Sequence, residues 1–274
     1  MLTVARTRAP AEAQMRLHRT LRRLDERHLP APAKGRYTPN RPGERLARRY
    51  TEKAMIRLQN VSKHYHLGKS DKVVFNNLNL EINKGDSIGI CGANGAGKST
   101  LLRLLAGVER PTAGKVIRTM STSWPLGYSS AFQASLTGAD NARFISRIYN
   151  RPEEELLAFV DDFAQLGPYL YQPVNTYSAG MQARLAFGIS LAIEFECYLV
   201  DEVTGAGDER FRARSEEALL SRRDSASLIM TSHDPNTLRS FTRRGAVLYG
   251  GALVMYDTIE EACDVHHRLQ IRGL

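Results

Sequence analysis

Cysteine is scarce in this sequence, and the few copies present form neither a metal-binding nor a disulfide pattern. Cys91, Cys197 and Cys263 are the three cysteines among 274 residues, and they lie far apart. Cysteine zinc sites place their ligands in closely spaced pairs, and a disulfide framework needs an even number of cysteines. The sequence therefore argues against both, and it favours a reducing compartment.

Long apolar runs are missing as well. Residues 185–193 carry no charge, but Gly188 and Ser190 interrupt them, and they fall short of the ~18 residues of a membrane-spanning helix. No apolar segment of the kind found in secretory signals follows the first methionine. We therefore expect a chain that neither crosses a bilayer nor carries a secretory signal.

Excess positive charge is absent from most of the chain. There are 38 Lys and Arg residues against 29 Asp and Glu, a formal net charge of +9. Residues 1–54 hold 14 of the basic and 5 of the acidic residues, which accounts for the whole excess. The remainder is neutral, so the charge is no evidence for a nucleic-acid partner, and we expect none.

A domain boundary is predicted near Met55. Residues 1–54 combine the basic excess with five of the eleven prolines, and we expect a mobile N-terminal extension. One interpretation is a helix with Leu17, Leu21 and Leu24 on one stripe, lying on an anionic membrane surface. The other, which we favour, is a solvated and dispensable segment before a natural start at Met55. Residues 55–274 are expected to form one folded domain.

Beyond this boundary, short apolar strands alternate with helical segments. Strands that are apolar throughout are typical of a parallel sheet that helices cover on both faces. The fold class is therefore predicted to be α/β. The predicted elements are strands over residues 87–91, 197–200 and 227–230, helices over 153–166 and 181–193, and a hairpin with a Gly-Gly turn over 247–256.

A phosphate-binding loop is the strongest local motif. The sequence GANGAGKS fits GxxxxGK[ST], follows a predicted strand and precedes a helix that we expect Gly107 to close. Its glycines let backbone N–H groups converge on phosphate oxygens, and the helix N-terminus adds partial positive charge. We predict that Lys98 reaches the β- and γ-phosphates and that the Ser99 hydroxyl binds Mg²⁺. The predicted nucleotide-binding residues of this loop are Gly92, Ala93, Asn94, Gly95, Ala96, Gly97, Lys98, Ser99 and Thr100.

Two acidic residues and a histidine follow two further predicted strands. CYLVDE ends a strand at Asp201, which we expect to hold Mg²⁺ through water, and continues with Glu202, which can take a proton from an attacking water. Acidic pairs at strand ends are also common as solvated loop starts, but the upstream P-loop favours the catalytic interpretation. His233 is predicted to contact the γ-phosphate, because open α/β sheets bind ligands at the carboxyl ends of their strands. The predicted catalytic residues are Lys98, Glu202 and His233.

The stretch YSAGMQARLAF, residues 177–187, supplies a second helix start shaped for an anion. It lies between the P-loop and CYLVDE, and in this order the motifs resemble those of the ATP-binding subunits of ABC transporters, whose signature is written LSGGQ. The resemblance covers the chain from about Met55 to Leu269. It implies a P-loop NTPase with a RecA-like parallel-sheet core, a small antiparallel β region and a helical subdomain at about residues 134–195. We expect Trp124 and Pro125 to pack in the small β region.

The resemblance implies further site residues. In this family the signature residues, here Ser178, Ala179 and Gly180, face the γ-phosphate held by the P-loop of a second subunit. Tyr65 matches the aromatic residue that stacks on adenine, the alternative being a strand aromatic packed in the core.

Two loop residues also match the family pattern. Gln133 matches the Q-loop glutamine that senses Mg²⁺ or the attacking water and links the site to the membrane subunit. An ordinary exposed glutamine is the alternative. Asp208 matches the D-loop aspartate that crosses to the partner's site, although TGAGDERF replaces the usual Ser-Ala-Leu-Asp turn.

Three stretches, YSAGMQARLAF, TGAGDERF and FQASLTGADNARF, resemble the polysaccharide-export branch of the family. This branch includes capsular polysaccharide, O-antigen and teichoic acid exporters. About forty residues follow His233, so we expect no added carbohydrate-binding domain, and the capsule-type exporter fits best. The alternatives are an O-antigen or teichoic acid exporter and a nutrient importer. A soluble ABC ATPase acting on nucleic acid or ribosomes would need tandem ATP domains or a long coiled-coil insertion.

The resemblance implies a homodimer that closes head to tail around two ATP molecules with Mg²⁺. The predicted metal-site residues are Ser99, Gln133 and Asp201. Closure is expected to drive an integral-membrane permease that is a separate chain. The protein is therefore expected to be peripheral, on the cytoplasmic face of the inner (plasma) membrane.

Overall fold

The computed structural model of the protein describes residues 55–68, 70–126, 132–202 and 208–272. The predicted extension over residues 1–54 lies outside the described residues, and so do residues 204–207, the first half of TGAGDERF. Within the described ranges, no helix is both long and apolar enough to cross a membrane.

A small antiparallel sheet of the described residues has the strand order β2-β1-β4. Its strands are β1 (Met55–Leu67), β2 (Ser70–Asn83) and β4 (Ala113–Arg118). Ile56 and Leu58 of β1 pair with Ile82 and Leu80 of β2, and all four side chains are buried. Because alternate residues of a strand share a face, one face of this sheet contributes to the core.

The larger sheet has the strand order β5-β6-β7-β3-β8-β9, in which neighbours from β5 to β8 are parallel. The antiparallel edge strand β9 follows β8 through a turn in which Gly250 and Gly251 both have positive φ, as the hairpin prediction requires. Every residue of β3 and β7 is buried. These observations confirm the predicted α/β class. The strands are β3 (Ser87–Cys91), β5 (Thr122–Leu126), β6 (Cys197–Asp201), β7 (Ser227–Thr231), β8 (Arg244–Tyr249) and β9 (Ala252–Tyr256).

Helices cover both faces of the larger sheet. Ile88 and Ile90 of β3 pack with the helix after the P-loop and with the small sheet in one apolar core, whereas a Cβ on Gly89 would meet Ile259 of the last helix. Successive strand residues point to opposite faces, so these two helices lie on opposite sides of the sheet. The helices are α1 (Lys98–Ala106), α2 (Gly138–Ile148), α3 (Glu153–Ala164), α4 (Ala179–Ala192), α5 (Glu209–Arg223), α6 (Pro235–Phe241) and α7 (Ile259–Ile271), with 3-10 turns at Gly167–Tyr171 and Val174–Thr176.

Residues 134–195, the predicted helical subdomain, contain α2, α3 and α4. Helix α3 ends at Ala164, earlier than predicted, because Gln165 adopts a left-handed conformation with φ of 50°. Helix α4 begins at Ala179, two residues earlier than predicted, because Ser178 caps it by accepting a hydrogen bond from the Met181 N–H. Both ends are therefore set by local backbone chemistry.

The prediction that Trp124 and Pro125 pack in the small antiparallel sheet is wrong. Both lie in β5, at the edge of the larger sheet. The Trp124 indole N–H donates to Ser190 Oγ of α4 at 2.7 Å, and its ring packs edge-on against Phe195. A proline is compatible with an edge strand, which has one free side. The choice of sheet depends on pairing with β6, about 75 residues away, and no local pattern reports it.

Close packing between β3 and the last two helices depends on the absence of a side chain at Gly89. A Cβ there would lie 2.6 Å from both Ile259 Cδ1 and Thr242 Oγ1, closer than carbon atoms pack. We expect Gly89→Ala to lower the free energy of unfolding by about 1–3 kcal/mol, measured by urea denaturation.

Gly188→Ala is the matched control. Gly188 lies inside α4, where a Cβ would make ordinary contacts, the nearest at 3.5 Å from Phe163. Because alanine favours helix over glycine by about 1 kcal/mol, this variant should be neutral or more stable. Equal losses in the two variants would contradict the packing argument.

Candidate active site

The loop between β3 and α1 presents its backbone to a single cavity. Gly97 is the N-cap of α1 with φ of 107°, and no side chain caps the first turn of the helix. A Cβ on Gly97 would lie 2.5 Å from Val74 of β2, so this turn requires glycine twice over, for its φ and for its space. The N–H groups of the first turn are thus aimed outward without a side-chain acceptor. That arrangement suits a phosphate.

The Lys98 side chain folds back onto the phosphate loop and bonds to its backbone. Its ammonium group donates to the carbonyl oxygens of Gly92 at 2.7 Å and of Ala93 at 3.2 Å, and the side chain is buried. A buried cation held beside exposed backbone N–H groups makes the loop strongly attractive to a polyanion.

The two acidic residues lie at the end of β6, where Asp201 is the last residue of the strand and Glu202 follows it, and both line the same cavity. Asp201 Oδ1 accepts a hydrogen bond from Thr231 Oγ1 at 2.7 Å. Glu202 has φ of 53°, a left-handed conformation that is uncommon for a residue with a side chain, and its N–H donates to the Thr231 carbonyl at 3.0 Å. His233 Nδ1 lies 3.2 Å from Glu202 Oε1.

A cavity of about 410 Å³ is lined by the phosphate loop and by both acidic residues. Glu202 also borders a second cavity of about 310 Å³, which His233 lines from the other side. The carboxylate of Glu202 therefore lies between the cavity of the phosphate loop and the histidine. The sequence-predicted residues that line the larger cavity are Tyr65, Asn94, Gly95, Gly97, Lys98, Ser99, Thr100, Asp201 and Glu202.

Tyr65 belongs to a charged network that no sequence motif predicts. Its hydroxyl donates to Glu109 Oε1 at 2.6 Å, and Lys63 Nζ lies 2.7 Å from the same oxygen. Arg103 donates from Nε to Glu109 Oε2 at 3.0 Å and from Nη2 to Thr100 Oγ1 at 3.1 Å. Burial raises the pKa of Glu109, but the hydrogen bonds from Lys63, Tyr65 and Arg103 outweigh it and lower the pKa to about 2. Glu109 thus fixes Tyr65 beside the phosphate loop.

Several predicted residues do not line the larger cavity. The Gln133 N–H donates to Asn141 Oδ1 at 2.9 Å, and its amide Nε2 donates to Ser135 Oγ at 3.2 Å. Ser178 and Ala179 are exposed at the start of α4, and Gly180 is half-buried there.

Asp208 caps α5 of its own chain. It accepts from the Phe211 N–H at 2.9 Å and from Arg184 Nη2 at 2.8 Å. Both contacts lower the pKa of Asp208, and the hydrogen bond from the Phe211 N–H has the larger effect. The roles of Gln133, the signature residues and Asp208 stay predictions.

The residues that line the larger cavity fit a nucleoside triphosphate with Mg²⁺. The loop backbone and Lys98 suit the phosphates, and the aromatic ring of Tyr65 lies at the same cavity. The Ser99 hydroxyl and the Asp201 carboxylate are hard oxygen donors, the type that Mg²⁺ prefers, and both line this cavity. Such a cation supplies charge neutralisation to the phosphates when bound.

Comparisons with known proteins agree with this site. The family model described as "ABC transporter" matches residues 75–205. The chain is 47% identical over 216 residues to the ATP-binding protein BexA of Haemophilus influenzae, covering 79% of this chain and 100% of the relative. It is 46% identical over 215 residues to the capsule polysaccharide export ATP-binding protein CtrD of Neisseria meningitidis serogroup B, covering 78% and 100%.

A solved structure shares the fold. The dimeric post-hydrolysis state of the ATP-binding cassette MJ0796 bound to ADP and Pi aligns with a TM-score of 0.65 at 23% identity. The alignment covers 74% of this chain and 98% of that one.

The fold and the cavity define a P-loop nucleotide-binding protein. The full-length similarity to the two relatives narrows this class: the chain belongs to the ABC transporter family, and it is an ATPase. The resemblance predicted from the motif order is thereby confirmed.

The Glu109 network makes the stability of the protein depend on pH. Because the folded-state pKa of Glu109, about 2, lies below its ordinary value of 4.5, the carboxylate stabilises the fold above pH 4.5, and this contribution is lost as the pH falls toward 2. We expect Glu109→Gln to be less stable than wild type by about 1–2 kcal/mol at pH 6, and this difference to shrink steadily below pH 4.5. Urea denaturation at a series of pH values measures it.

Glu81→Gln is the control for this experiment. Glu81 pairs with Arg57 on the surface, where both side chains are well exposed. Exposed pairs contribute little, so this variant should stay close to wild type at every pH. A Glu109→Gln difference that does not change with pH would contradict the network's role.

Proposed function

We propose that this protein is the ATP-binding and hydrolysing subunit of an ABC exporter that drives capsular-type polysaccharide across the cytoplasmic membrane. The observation that carries this proposal is similarity over the full length of a relative named for capsule polysaccharide export. The stretches YSAGMQARLAF and FQASLTGADNARF, which resemble the polysaccharide-export branch, are consistent with it. An O-antigen or teichoic acid exporter is the alternative within the branch, and a nutrient importer is the alternative outside it.

In the proposed site, one ATP lies along the larger cavity. Residues 92–100 hold the phosphates through backbone N–H groups and Lys98, and Tyr65 stacks on the adenine. Lys63 Nζ lies over the Tyr65 ring at 4.9 Å from its centroid, which occupies one face. Tyr65 also packs against the apolar core, so the adenine is proposed to stack on the part of the ring that borders the cavity.

Hydrolysis needs a base and a group that stabilises the developing negative charge. Glu202 is the proposed base, which orients an attacking water and takes its proton, and His233 lies beside it to contact the γ-phosphate. Ser99, Asp201 and Gln133 are the proposed residues at Mg²⁺. Lys98 and the first turn of α1 stabilise charge at the phosphate oxygens.

The role of Glu202 predicts a specific kinetic pattern. Glu202→Gln keeps the shape of the side chain but removes the base, so ATP binding should be unchanged and the hydrolysis rate should fall by roughly 10²–10⁴-fold. Nucleotide-dependent dimers should accumulate, as measured by size-exclusion chromatography. Glu216→Gln, which removes a carboxylate from the neighbouring cavity, should hydrolyse ATP at the native rate. Turnover by Glu202→Gln near the native rate would refute the assignment.

The signature is proposed to bind the nucleotide of a second copy. Ser178 begins a 14-residue helix, its side chain is exposed, and it does not line the cavity of its own P-loop. A helix N-terminus attracts anions, so α4 offers a second phosphate contact outside the first cavity. Two copies closing head to tail place each signature on the other's ATP. Asp208, at the start of α5, is proposed to cross near the same contact.

Ser178→Arg separates the two phosphate contacts. The arginine should block the partner's γ-phosphate position while the P-loop of the same chain stays intact. ATP binding by the monomer should survive within about twofold, and ATP-dependent dimerisation should be lost, as measured by fluorescent-nucleotide titration and light scattering.

Thr258→Arg is the matched control, because Thr258 caps α7 in the same way as Ser178 caps α4, by accepting from a backbone N–H three residues on. It should lose the same kind of cap and still dimerise. Equal loss of nucleotide binding and dimerisation in Ser178→Arg would contradict a role at the opposite nucleotide.

A surface near Gln133 is proposed to contact the permease. Phe144 and Ile148 are separated by one turn on α2, and more than half of each side chain is exposed. Leu136 is exposed three residues after Gln133. The side-chain amide of Asn141, in α2, accepts from the Gln133 N–H and donates to the Gln133 carbonyl. Exposed apolar side chains grouped in this way are typical of an interaction site. The protein is thus proposed to be peripheral on the cytoplasmic face of the membrane.

Export in cells tests the function itself. Deleting the gene should remove polysaccharide from the cell surface and leave it inside, as measured by carbohydrate assay of surface and cytosolic fractions. Wild type and Ile271→Asp, which changes an exposed apolar residue at the end of α7, should restore export. Phe144→Asp should hydrolyse ATP normally in solution and fail to restore export. Normal surface polysaccharide with loss of uptake of a nutrient would favour the importer instead.

A further inference from the structure

A single buried threonine connects both acidic residues of the site. Thr231 is the last residue of β7, a strand whose other four residues, Ser227–Met230, are also buried. Its relative exposure is 0%. A buried hydroxyl needs a hydrogen-bond acceptor, and the hydroxyl of Thr231 donates to a carboxylate of the candidate active site.

The hydroxyl of Thr231 fixes the direction of the Asp201 carboxylate. Strands β6 and β7 are parallel, and the ladder sets Asp201 level with Thr231. Thr231 Oγ1 has one hydrogen, and it lies 2.7 Å from Asp201 Oδ1, which accepts. With Oδ1 held in this way, Oδ2 is the oxygen left to face a cation or its water. The Asp201 side chain cannot turn without losing this partly buried hydrogen bond.

The same threonine holds the backbone of Glu202. The Glu202 N–H donates to the Thr231 carbonyl at 3.0 Å, and it lies 3.4 Å from Thr231 Oγ1. Glu202 has φ of 53°, a conformation that costs free energy for a residue with a side chain and that persists only where its surroundings hold it. His233, two residues after Thr231, then lies beside the Glu202 carboxylate at 3.2 Å.

The position of β7 in the sheet extends this connection to the phosphate loop. Strand β7 lies between β6 and β3, and Thr231 is level with Ile90, two residues before the loop begins at Gly92. Thr231 is therefore central among the three strand ends that carry the base, the metal-site carboxylate and the phosphate loop.

We propose that Thr231 is a positioning residue of the ATPase: its hydroxyl orients Asp201 toward the metal, and its carbonyl holds Glu202 in the strained conformation that the base requires. The inference rests on the proposed roles of Asp201 and Glu202. The Thr231 hydroxyl thus contributes to metal binding and not only to the stability of the fold.

The test compares variants with and without the hydroxyl. Thr231→Val keeps the branched shape and removes the hydroxyl, and Thr231→Ser keeps the hydroxyl. Mn²⁺ serves as the probe, and its affinity for the ATP-loaded protein is measured by electron paramagnetic resonance of the free ion. Losses of about 10–100-fold are usual when a group that supports a metal ligand is removed. We expect that loss in Thr231→Val, near-native Mn²⁺ affinity in Thr231→Ser, and unchanged binding of fluorescent nucleotide without divalent cations in both.

Thr242→Val is the matched control, because Thr242 is also a buried threonine, and its hydroxyl donates to the Leu238 carbonyl at 2.7 Å and not to a carboxylate of the site. It should bind Mn²⁺ as wild type does. If Thr231→Val does not fold, Thr231→Ala removes the same hydroxyl with less volume and is measured in its place. Mn²⁺ affinity within twofold of wild type in a folded variant without the hydroxyl would overturn the proposal.

A double variant separates failure of this inference from failure of the proposed site. If Thr231 acts through Asp201, then Thr231→Val should weaken Mn²⁺ binding no further in the Asp201→Asn background. Loss of affinity in Asp201→Asn without any loss in Thr231→Val would refute the positioning role and leave the metal site standing. Native affinity in Asp201→Asn would refute the metal role of Asp201, and the positioning of a metal ligand by Thr231 with it.

Discussion

The register of three parallel strands is the constraint on which the active site depends. Strands β6, β7 and β3 are neighbours in the sheet, and their ladders set Asp201 level with Thr231 and Thr231 level with Ile90. Parallel strands deliver their carboxyl ends to one edge, so Asp201, Glu202, His233 and the phosphate loop all lie there. A shift of one residue in either ladder would turn every side chain of the shifted strand to the opposite face. Both faces of these strands are covered, so a shift in β3 would place an isoleucine where only Gly89 fits against Ile259 and Thr242, which makes the shift costly.

The small antiparallel sheet completes the site from the other side. Its strands β1 and β2 bury Ile56, Leu58 and Phe75 in the same core as the leucines of α1. This packing brings Val74 against Gly97 at the start of α1 and Tyr65 to the edge of the cavity. Glu109 then joins Tyr65 to Arg103 of α1. The small sheet and α1, the helix that follows the phosphate loop, are therefore held together by both apolar packing and a charged network.

The features that the sequence reveals are the local ones. The phosphate loop, CYLVDE, the hairpin at Gly250 and Gly251, and the start of α4 each occupy a few consecutive residues whose backbone chemistry decides their structure. Residues brought together from distant parts of the chain leave no such mark. Thr231 meets Asp201 across 30 residues and Tyr65 meets Glu109 across 44, and each is an ordinary residue in its own stretch. The sequence predicts the wrong sheet for Trp124 for the same reason, since only pairing with β6 decides where β5 lies.

The starts of α1 and α4 explain why the proposed ATPase needs two copies of the chain. The N-terminus of α1 has no side-chain cap, and its N–H groups face the cavity that Lys98 and Asp201 line. The N-terminus of α4 is capped by Ser178, lies outside that cavity and is exposed. The residues at the start of α4 contribute nothing to the first cavity, so a nucleotide in that cavity has no contact with them in the cavity lining of the same chain. Head-to-tail pairing satisfies both at once, since each exposed helix start meets the nucleotide that the other copy holds. In the proposed dimer, nucleotide binding would stabilise the closed pair by contacts that neither chain makes alone. Hydrolysis, with Glu202 as the proposed base, would remove the shared phosphate and with it those contacts.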